Sequence, residues 1–486
     1  MNYLRTVIFL VSLSMIFLSC EQQTATPAIA QTAPAMAISQ DCTASASTLP
    51  KGTKRVYIAL RNGKDGTGMS PDDARDGSSA ESFDTILRCY SEGCMEAEAK
   101  SAHKAVAKTD DLMVCLGPGT FQTKGSYDFL ILRPHTTQQG FTVGRGWKIH
   151  GRGPAQTTLQ LADYLPITDP KNPQNMPVGT GWNTVISTNS DGASGVEISD
   201  LTLDANYPSL KSLARKNGTK ALNLEAIHLR SDLGGHWIHN VNVINAAGEI
   251  GGLNPAYETF PVWIVSVQKA PPSVNHGNII EHVTMSGFGG GRCTAIAVAS
   301  AEGEVRNNAV NGYQIAYGGW SMGAVNFHDN VAVNSEYGFN IDSLINDGVK
   351  IESNQIHVLS YGMVIGGGGT YTNFKIAQNT FHIGSTRGIG IFFQGNVTRS
   401  VIAGNNFVAD GQARGIAIRN YSHSPAGANN HNSYQSNRIS SSLRVVFQGP
   451  SRMSQNCAFG NKDEQGNPHR DLPDNHQGPC VTDAAH

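Results

Sequence analysis

The sequence predicts an all-β solenoid, in which short strands wind into coils that stack on one another. Three observations support this fold class. A pattern of Asn and apolar residues recurs along the chain, at spacings typical of a β-solenoid. Glycine makes up 53 of the 486 residues, which favours many turns over long helices. Charged residues are 15% and apolar residues 39% of the chain, which excludes a disordered polyelectrolyte.

The repeat is clearest in residues 349–358 and 374–383, which share one pattern of apolar residues around a central Asn. Alternating apolar residues predict strands with one buried face, and Asn tolerates the positive φ that tight turns need. One coil cannot bury its apolar face alone, so coils must stack at about 4.8 Å. We therefore expect one continuous solenoid over residues 111–452, with six Asn in a hydrogen-bonded column: Asn308, Asn330, Asn354, Asn379, Asn405 and Asn437.

Residues 1–20 are typical of an export signal. Arg5 precedes an apolar run over residues 7–18, which is too short for a membrane span. The run ends in Leu-Ser-Cys20, which resembles the lipobox of bacterial lipoproteins, where the cysteine is lipidated and becomes the mature N-terminus. An ordinary secretory signal ending in Cys is the alternative. We expect lipid attachment at Cys20 and a location in the periplasm or on the cell surface.

Three further segments flank the predicted solenoid. Residues 21–50 are rich in Ala, Thr, Gln and Pro and nearly uncharged, which predicts a flexible tether. Residues 51–110 form the predicted N-terminal cap region, where Ser82–Tyr90 is expected to be a short capping helix over the end of the solenoid. Residues 453–486 form the predicted C-terminal tail.

Three segments carry a resemblance to a known family. Residues 111–121 resemble the opening strand and Pro-Gly-Thr turn of the pectate-lyase superfamily, residues 147–159 its first full coil, and residues 196–206 the next. The resemblance extends over residues 105–450 and implies a right-handed parallel β-helix. It implies no single activity, because this fold hosts lyases, hydrolases, esterases, epimerases and non-catalytic adhesins. The signatures of pectin methylesterases, polygalacturonases and calcium-binding pectate lyases are not recognisable.

The cysteine pattern fits an exported protein. Eight cysteines minus Cys20 leave seven, an odd number, so at least one is expected to remain unpaired. An oxidising compartment permits disulfides, and the close pairs are Cys89 with Cys94 and Cys457 with Cys480. Cys293 is the expected buried free thiol. The spacing does not fit zinc, so we predict no metal site, and calcium is the one cofactor left open.

A strand that follows a turn in every coil carries the candidate functional residues. Its copies are expected to begin at residues 227, 262, 296, 313, 339, 363, 389, 416 and 443. The first and third residues of each copy should face inward, and the second and fourth should form two outward columns. Small residues in the middle of these columns are expected to leave room for a ligand. That room would be bordered by His228, Arg230, Asn340 and Asp342.

These residue types suit cleavage of a uronate polymer. β-Elimination needs a base for the proton α to the carboxylate, an acid for the leaving oxygen and a cation over the carboxylate. We expect His228 or Tyr337 as the base and Arg230 as the carboxylate clamp. Residues 337–342 also resemble the Tyr-Gly-Phe-Asp-Pro-His stretch of alginate C5-epimerases, with Asn340 in place of the Asp and without the Pro-His.

A hydrolase would instead need two carboxylates about 5–10 Å apart, for which Glu336 and Asp342 are the best pair. The catalytic candidates are therefore Tyr337, Asp342, His228 and Glu336. The expected substrate contacts are Arg230, Asn340, Trp263, Gln314 and Tyr317.

Charge is uneven along the chain. Residues 302–352 carry seven Asp and Glu against Arg306 and Lys350, whereas residues 387–452 carry seven Arg against Asp410. A basic end suits an anionic glycan, whereas a net charge of −2 gives no case for nucleic acid.

The leading function is an exported lipoprotein acting on polysaccharide as a uronate-directed lyase. The alternatives are a glycoside hydrolase or C5-epimerase on the same fold, or a non-catalytic glycan-binding or adhesin-like solenoid. A trimeric tailspike is disfavoured by the lipidation signal. We expect a monomer whose partner is polysaccharide and whose only membrane contact is the N-terminal lipid.

Overall fold

Three stacks of mainly parallel strands form the three faces of the protein, which is a right-handed parallel β-helix. A computed structural model describes Cys42 and residues 53–95, 105–106, 109–129, 135–138, 140–165, 182–188, 192–216, 221–246, 248–250, 259–267, 274–287, 293–342, 345–367, 369–411, 413–421, 431–448 and 456–472. The predicted signal segment lies outside these residues. Of the predicted tether, residues 21–50, only Cys42 is described.

Stack one is the longest ladder of parallel strands. Its members are Lys54–Ala59, Leu112–Leu116, Lys148–His150, Glu197–Asp204, Trp237–Ile244, Asn278–Ser286, Gly303–Arg306, Val325–His328, Lys350–Glu352, Lys375–Ala377, Val401–Ala403, Ser433–Gln435 and Cys457–Phe459.

Stacks two and three follow stack one around each coil, and several long strands bend from one stack into the next. Stack two contains parts of the three longest strands of stack one, together with Gly119–Thr123, Thr157–Leu161, Ala309–Asn311, Val331–Asp342, Gln355–Gly366, Thr380–Ile383, Asn406–Ala409 and Arg438–Ile439. Stack three contains the later parts of Val331–Asp342 and Gln355–Gly366, together with Trp182–Ser187, Ala221–Ser231, Val262–Ser266, Thr294–Ala299, Ile315–Trp320, Ile389–Phe393, Ile416–Tyr421 and Arg444–Gln448.

The coils extend beyond residues 111–452 at both ends. Lys54–Ala59 pairs in parallel with Leu112–Leu116, and Cys457–Phe459 pairs with Ser433–Gln435. Further short strands lie outside the three stacks. They are Arg75–Asp76, Cys94–Met95 with Ala105–Val106, Ser126–Phe129 with His135–Gln138, Gly248–Ile250, and the small sheet Ile345–Asp347, Thr370–Thr372 and Asn396–Thr398.

Helix α1, Ala80–Glu92, is the predicted capping helix. Ser79 caps it through a reciprocal pair of hydrogen bonds with Ser82, which satisfies N–H groups that a helix start leaves open. Its apolar side covers the first coil, where Phe83 lies 5.7 Å from Phe121 between ring centroids. A second helix, α2, spans Tyr207–Lys216.

The predicted Asn column is confirmed as a continuous hydrogen-bonded ladder. The backbone N–H and the Nδ2 of Asn354 both donate to Oδ1 of Asn379, at 3.0 and 2.9 Å. The same pattern runs from Asn308 to Asn437 and continues to Asn461. Positive φ falls on the residue before each ladder Asn, such as Ser353 at 57°, and not on the Asn as expected. The column therefore selects Asn for its hydrogen bonds.

One disulfide among the described residues joins Cys42 to Cys115 across 73 residues, and no sequence pattern indicated it. Cys89 and Cys457 are also disulfide-bonded. The side chain of Cys94 and the whole of Cys480, their predicted partners, lie outside the described residues. Cys293 is a buried thiol. No helix in the described ranges is long and apolar enough to cross a membrane.

Candidate functional site

The strand pairings of stack three define two outward columns of side chains. Column one runs His228, Trp263, Ala297, Gly318, Asn340, Val364, Phe392, Arg419 and Val446. Column two runs Arg230, Val265, Ala299, Trp320, Asp342, Gly366, Gln394 and Tyr421.

Four of the predicted copies are in the wrong register. Ile296 pairs with Tyr317, so the copy expected at residue 313 begins at residue 317. The copies expected at residues 389, 416 and 443 begin two residues later. A shift of two or four residues preserves the alternation of inward and outward side chains, so apolar alternation does not distinguish these registers. Gln314 and Ala316 therefore leave the columns.

Tyr317 belongs to the core and does not contact substrate, which corrects its expected role. Its side chain is fully buried and its ring stacks on Phe339 with centroids 5.2 Å apart. Its hydroxyl lies 3.0 Å from the carbonyl oxygen of Asn308 and 2.9 Å from that of Val331. Burial raises the pKa of this phenol well above its ordinary value.

The room expected above the small column residues is filled by aromatic rings. Phe260, Trp263 and Trp320, which we call the aromatic cluster, cover Ala297 and Ala299. The two indole centroids are 5.8 Å apart, and Phe260 lies 4.8 and 5.1 Å from them. Trp263 is buried whereas Trp320 is partly exposed, so Trp320 gives the cluster its outer surface.

His228 and Arg230 lie beside a buried carboxyl group and not in an open groove. Their exposed fractions are 3% and 9%, and Trp263 stacks on the His228 ring with centroids 4.2 Å apart. Nδ1 of His228 is 3.2 Å from Oε2 of Glu225, which is fully buried. Burial raises the pKa of Glu225 to about 8, against hydrogen bonds from Thr184 and a backbone N–H and the charge of Arg230. The carboxyl group is therefore neutral near pH 7.

The accessible part of stack three lies further along the axis. We call it the exposed strip, and its members are all half-buried: Trp320, Tyr337, Asn340, Asp342, Tyr361, Phe392, Gln394 and Arg419. Four strand-to-strand steps, or about 19 Å, separate His228 from Asn340. The structure thus brings Tyr337, Asn340 and Asp342 onto one strand and leaves His228 and Arg230 apart from them, while Trp263 contacts the strip member Trp320.

Aromatic rings run along one side of the exposed strip. Tyr337 stacks on Tyr361 with centroids 5.1 Å apart and an interplanar angle of 11°. Tyr361 in turn lies 6.0 Å from Phe392, over which the Arg419 guanidinium sits at 5.1 Å. Such an arrangement offers flat apolar faces beside hydrogen-bonding groups, as sugar rings require.

Glu336 and Gln314 border the exposed strip next to Tyr337. Nε2 of Gln314 donates to Oε2 of Glu336 at 3.3 Å, and both side chains are half-buried. Glu336 lies midway along the strand Val331–Asp342, six residues before Asp342, so the strand does not hold the two carboxylates of the hydrolase hypothesis side by side.

Sequence reasoning missed Trp320, Gln394 and the position of Arg419, and a glycine signal would have located Gln394. Gly338 and Gly362 follow Tyr337 and Tyr361 in register. A Cβ on Gly338 would lie 2.6 Å from the Ile356 side chain in the core, so only glycine fits there. Aligning Gly338, Gly362 and Gly390 sets the correct register for these three coils, which apolar alternation does not.

No group of three or more His, Cys, Asp or Glu in the described part of the chain is arranged to hold a metal ion.

Comparison with known proteins gives structural likeness only. No protein-family model matches the chain, and neither does any curated protein. An exopolygalacturonase from Thermotoga maritima aligns at 12% identity with a TM-score of 0.46, over 84% of this chain and 90% of that one. The A-module of a mannuronan C-5 epimerase from Azotobacter vinelandii aligns at 13% identity with a TM-score of 0.41, over 79% and 94%. A polygalacturonase from Erwinia carotovora aligns at 10% identity with a TM-score of 0.40, over 82% and 98%.

Proposed function

We propose that this protein is an exported enzyme that cleaves a uronate-containing polysaccharide by β-elimination. The observation that carries the proposal is the exposed strip. Its two stacked phenols, Tyr337 and Tyr361, lie on neighbouring strands, and the strand of Tyr337 also carries Asn340 and Asp342. The half-buried rings of Trp320 and Phe392 would serve as sugar platforms.

The strip offers a base, an acid and a hydrogen-bond donor for elimination, with an amide in place of the expected cation over the carboxylate. In the proposed reaction, Tyr337 as a phenolate removes the proton on the carbon α to the uronate carboxylate. The electrons form a carbon–carbon double bond as the bond to the glycosidic oxygen breaks, and Tyr361 gives that oxygen a proton. The Asn340 amide donates to the carboxylate, where charge builds up in the transition state. No water is consumed, so the products are a reducing end and an unsaturated uronate.

The dimensions of the strip suit a polymer that runs along the solenoid axis. Coils repeat at about 4.8 Å, and one sugar unit spans about 5 Å, so successive units meet successive coils. Gly366 lies between Asp342 and Gln394 in column two, and the Gln394 side chain packs over it. Asp342 and Gln394 would then hydrogen-bond the sugar hydroxyls.

We also propose that the enzyme is a lipoprotein held through Cys20. The disulfide between Cys42 and Cys115 supports export, because disulfides persist in oxidising compartments. The Leu-Ser-Cys20 sequence supports lipidation.

The test is to incubate the purified protein with pectic, alginate and neutral glycans. Absorbance of the unsaturated uronate and release of reducing ends are followed together, with heat-inactivated protein as the control. A rise in both supports the lyase. Reducing ends without absorbance would instead support a hydrolase that uses Glu336 and Asp342. Binding without either signal would support a glycan-binding protein and contradict the proposed reaction.

A further inference from the structure

We infer that Arg419 forms a distal subsite for a uronate carboxylate, three coils from Tyr337, so that efficient turnover requires an acidic oligosaccharide of at least four units. This inference rests on the proposed function and specifies the substrate of the same strip.

Arg419 follows Asn340 in column one after three strand-to-strand steps. Asn340 pairs with Val364, Val364 with Phe392, and Phe392 with Arg419. Three steps of about 4.8 Å place Arg419 about 14 Å along the axis from the strand of Tyr337 and Asn340. A sugar chain at about 5 Å per unit therefore reaches Arg419 with its third unit beyond the reacting one.

The two outward columns are uncharged on the coils between Asn340 and Arg419. Across the two intervening coils the columns carry Val364, Gly366, Phe392 and Gln394, none of which is charged. In these two columns, a carboxylate that leaves the Tyr337 coil meets its next cation only at Arg419. Binding energy at that point depends on chain length, because shorter chains end before it.

The Arg419 guanidinium is positioned by the aromatic ring beneath it. Arg419 is half-buried with its charged group 5.1 Å over the Phe392 ring, which limits the conformations available to it. A positioned planar fork of N–H donors matches the two oxygens of a carboxylate. Less conformational entropy is then lost on binding than for a freely moving side chain.

The electrostatic potential around Arg419 is positive. Residues 387–452 contain seven Arg and a single acidic residue, Asp410. Asp410 lies on the stack two side, where its Oδ1 is 3.1 Å from Nδ1 of His382. Exposed Arg414 and Arg444 on the same and next coils add to a positive potential that attracts an anionic chain toward this end of the strip.

The experiment measures kcat and KM for oligogalacturonates and oligomannuronates of two to six units, using wild type, Arg419→Gln and the control Arg438→Gln. Arg438 is exposed on stack two, away from the strip. We expect Arg419→Gln to raise KM about tenfold for four-, five- and six-unit substrates, leave two- and three-unit substrates unchanged, and leave kcat unchanged. Arg438→Gln should match wild type at every length.

An equal effect of Arg419→Gln at all lengths, or none at any length, would overturn the distal subsite while leaving the lyase intact. If wild type turns over none of these substrates, the proposed reaction fails, and calorimetric affinities for the same oligosaccharides decide the subsite. A loss of affinity confined to the longer chains would support it, and length-independent affinity would refute it.

Discussion

At the residue scale, the proposed chemistry depends on two phenols whose rings stack face to face. Tyr337 and Tyr361 occupy the same position on neighbouring coils, and Gly338 and Gly362 after them let the backbone turn close over the core. Tyr337 was predictable as a candidate because its sequence neighbours resemble an epimerase motif. Trp320 was not, because it enters column two only through a register that apolar alternation leaves ambiguous.

Replacing Tyr337 by Phe removes only the hydroxyl that would take the proton. We expect the rate on a cleaved substrate to fall by about 10²-fold or more with little change in affinity, because the ring still stacks on Tyr361. Steady-state absorbance kinetics measure this. Tyr207→Phe, on helix α2, is the control and should keep wild-type turnover. A Tyr337→Phe enzyme with full activity would remove Tyr337 from the mechanism.

Glu225 makes stability depend on pH. Its pKa rises from 4.5 to about 8 on folding because the carboxyl group is buried, so the folded protein keeps a proton that the unfolded chain loses. The unfolding free energy should therefore decline from about pH 4.5 to about pH 8, with a slope of at most about 1.4 kcal/mol per pH unit. Glu225→Gln should flatten this decline in denaturant titrations. Glu352→Gln, a partly exposed control, should keep the wild-type slope, and an unchanged Glu225→Gln profile would refute a neutral Glu225.

At the element scale, the turn ladder was predictable and the register of stack three was not. The ladder suits Asn, since the Nδ2 of Asn354 donates both to the Phe327 carbonyl and to Oδ1 of Asn379, while its Oδ1 accepts from the backbone N–H and the Nδ2 of Asn330. The strands of stack three require only apolar residues at alternate positions, and several register shifts meet that requirement. The buried carboxyl of Glu225, which lies beside the His228 ring that Trp263 covers, was likewise not predictable from the sequence. Its burial depends on contacts between coils.

Adjacent residues test the ladder. Asn405 is buried and accepts from Asn379 while donating to Ile376 and Asn437, whereas Asn406 faces outward on the following strand. Asn405→Ala leaves buried backbone groups without partners and should lower the unfolding free energy by about 2–4 kcal/mol. Asn406→Ala should change it by less than about 0.5 kcal/mol. Equal effects in thermal or denaturant unfolding would show that the ladder does not stabilise the coils.

At the scale of the whole molecule, the N-terminal end of the solenoid is closed. The disulfide from Cys42 to Cys115 ties the segment before the first strand to the first coils, which are closed by helix α1. Stacked coils then carry a strip long enough for several sugar units. The overall fold was predictable because repetition multiplies a weak local signal, whereas the long-range disulfide has no counterpart in the repeat.

Attachment through Cys20 is tested in cells. Cys20→Ala should move the protein from the membrane fraction to the soluble exported fraction and abolish incorporation of labelled fatty acid, because the lipid is the proposed anchor. Cys293→Ser serves as the control, since it removes a buried thiol and keeps Cys20. Unchanged lipid labelling of Cys20→Ala would contradict the lipoprotein assignment.

The most direct test of the account is a crystal structure of the Tyr337→Phe variant with a six-unit oligouronate that the wild type cleaves. We predict a sugar chain along the solenoid axis on stack three, with a ring against Trp320, a uronate beside residue 337 and a carboxylate at Arg419. An oligosaccharide bound on stack one or stack two, with the strip empty at saturating ligand, would contradict it.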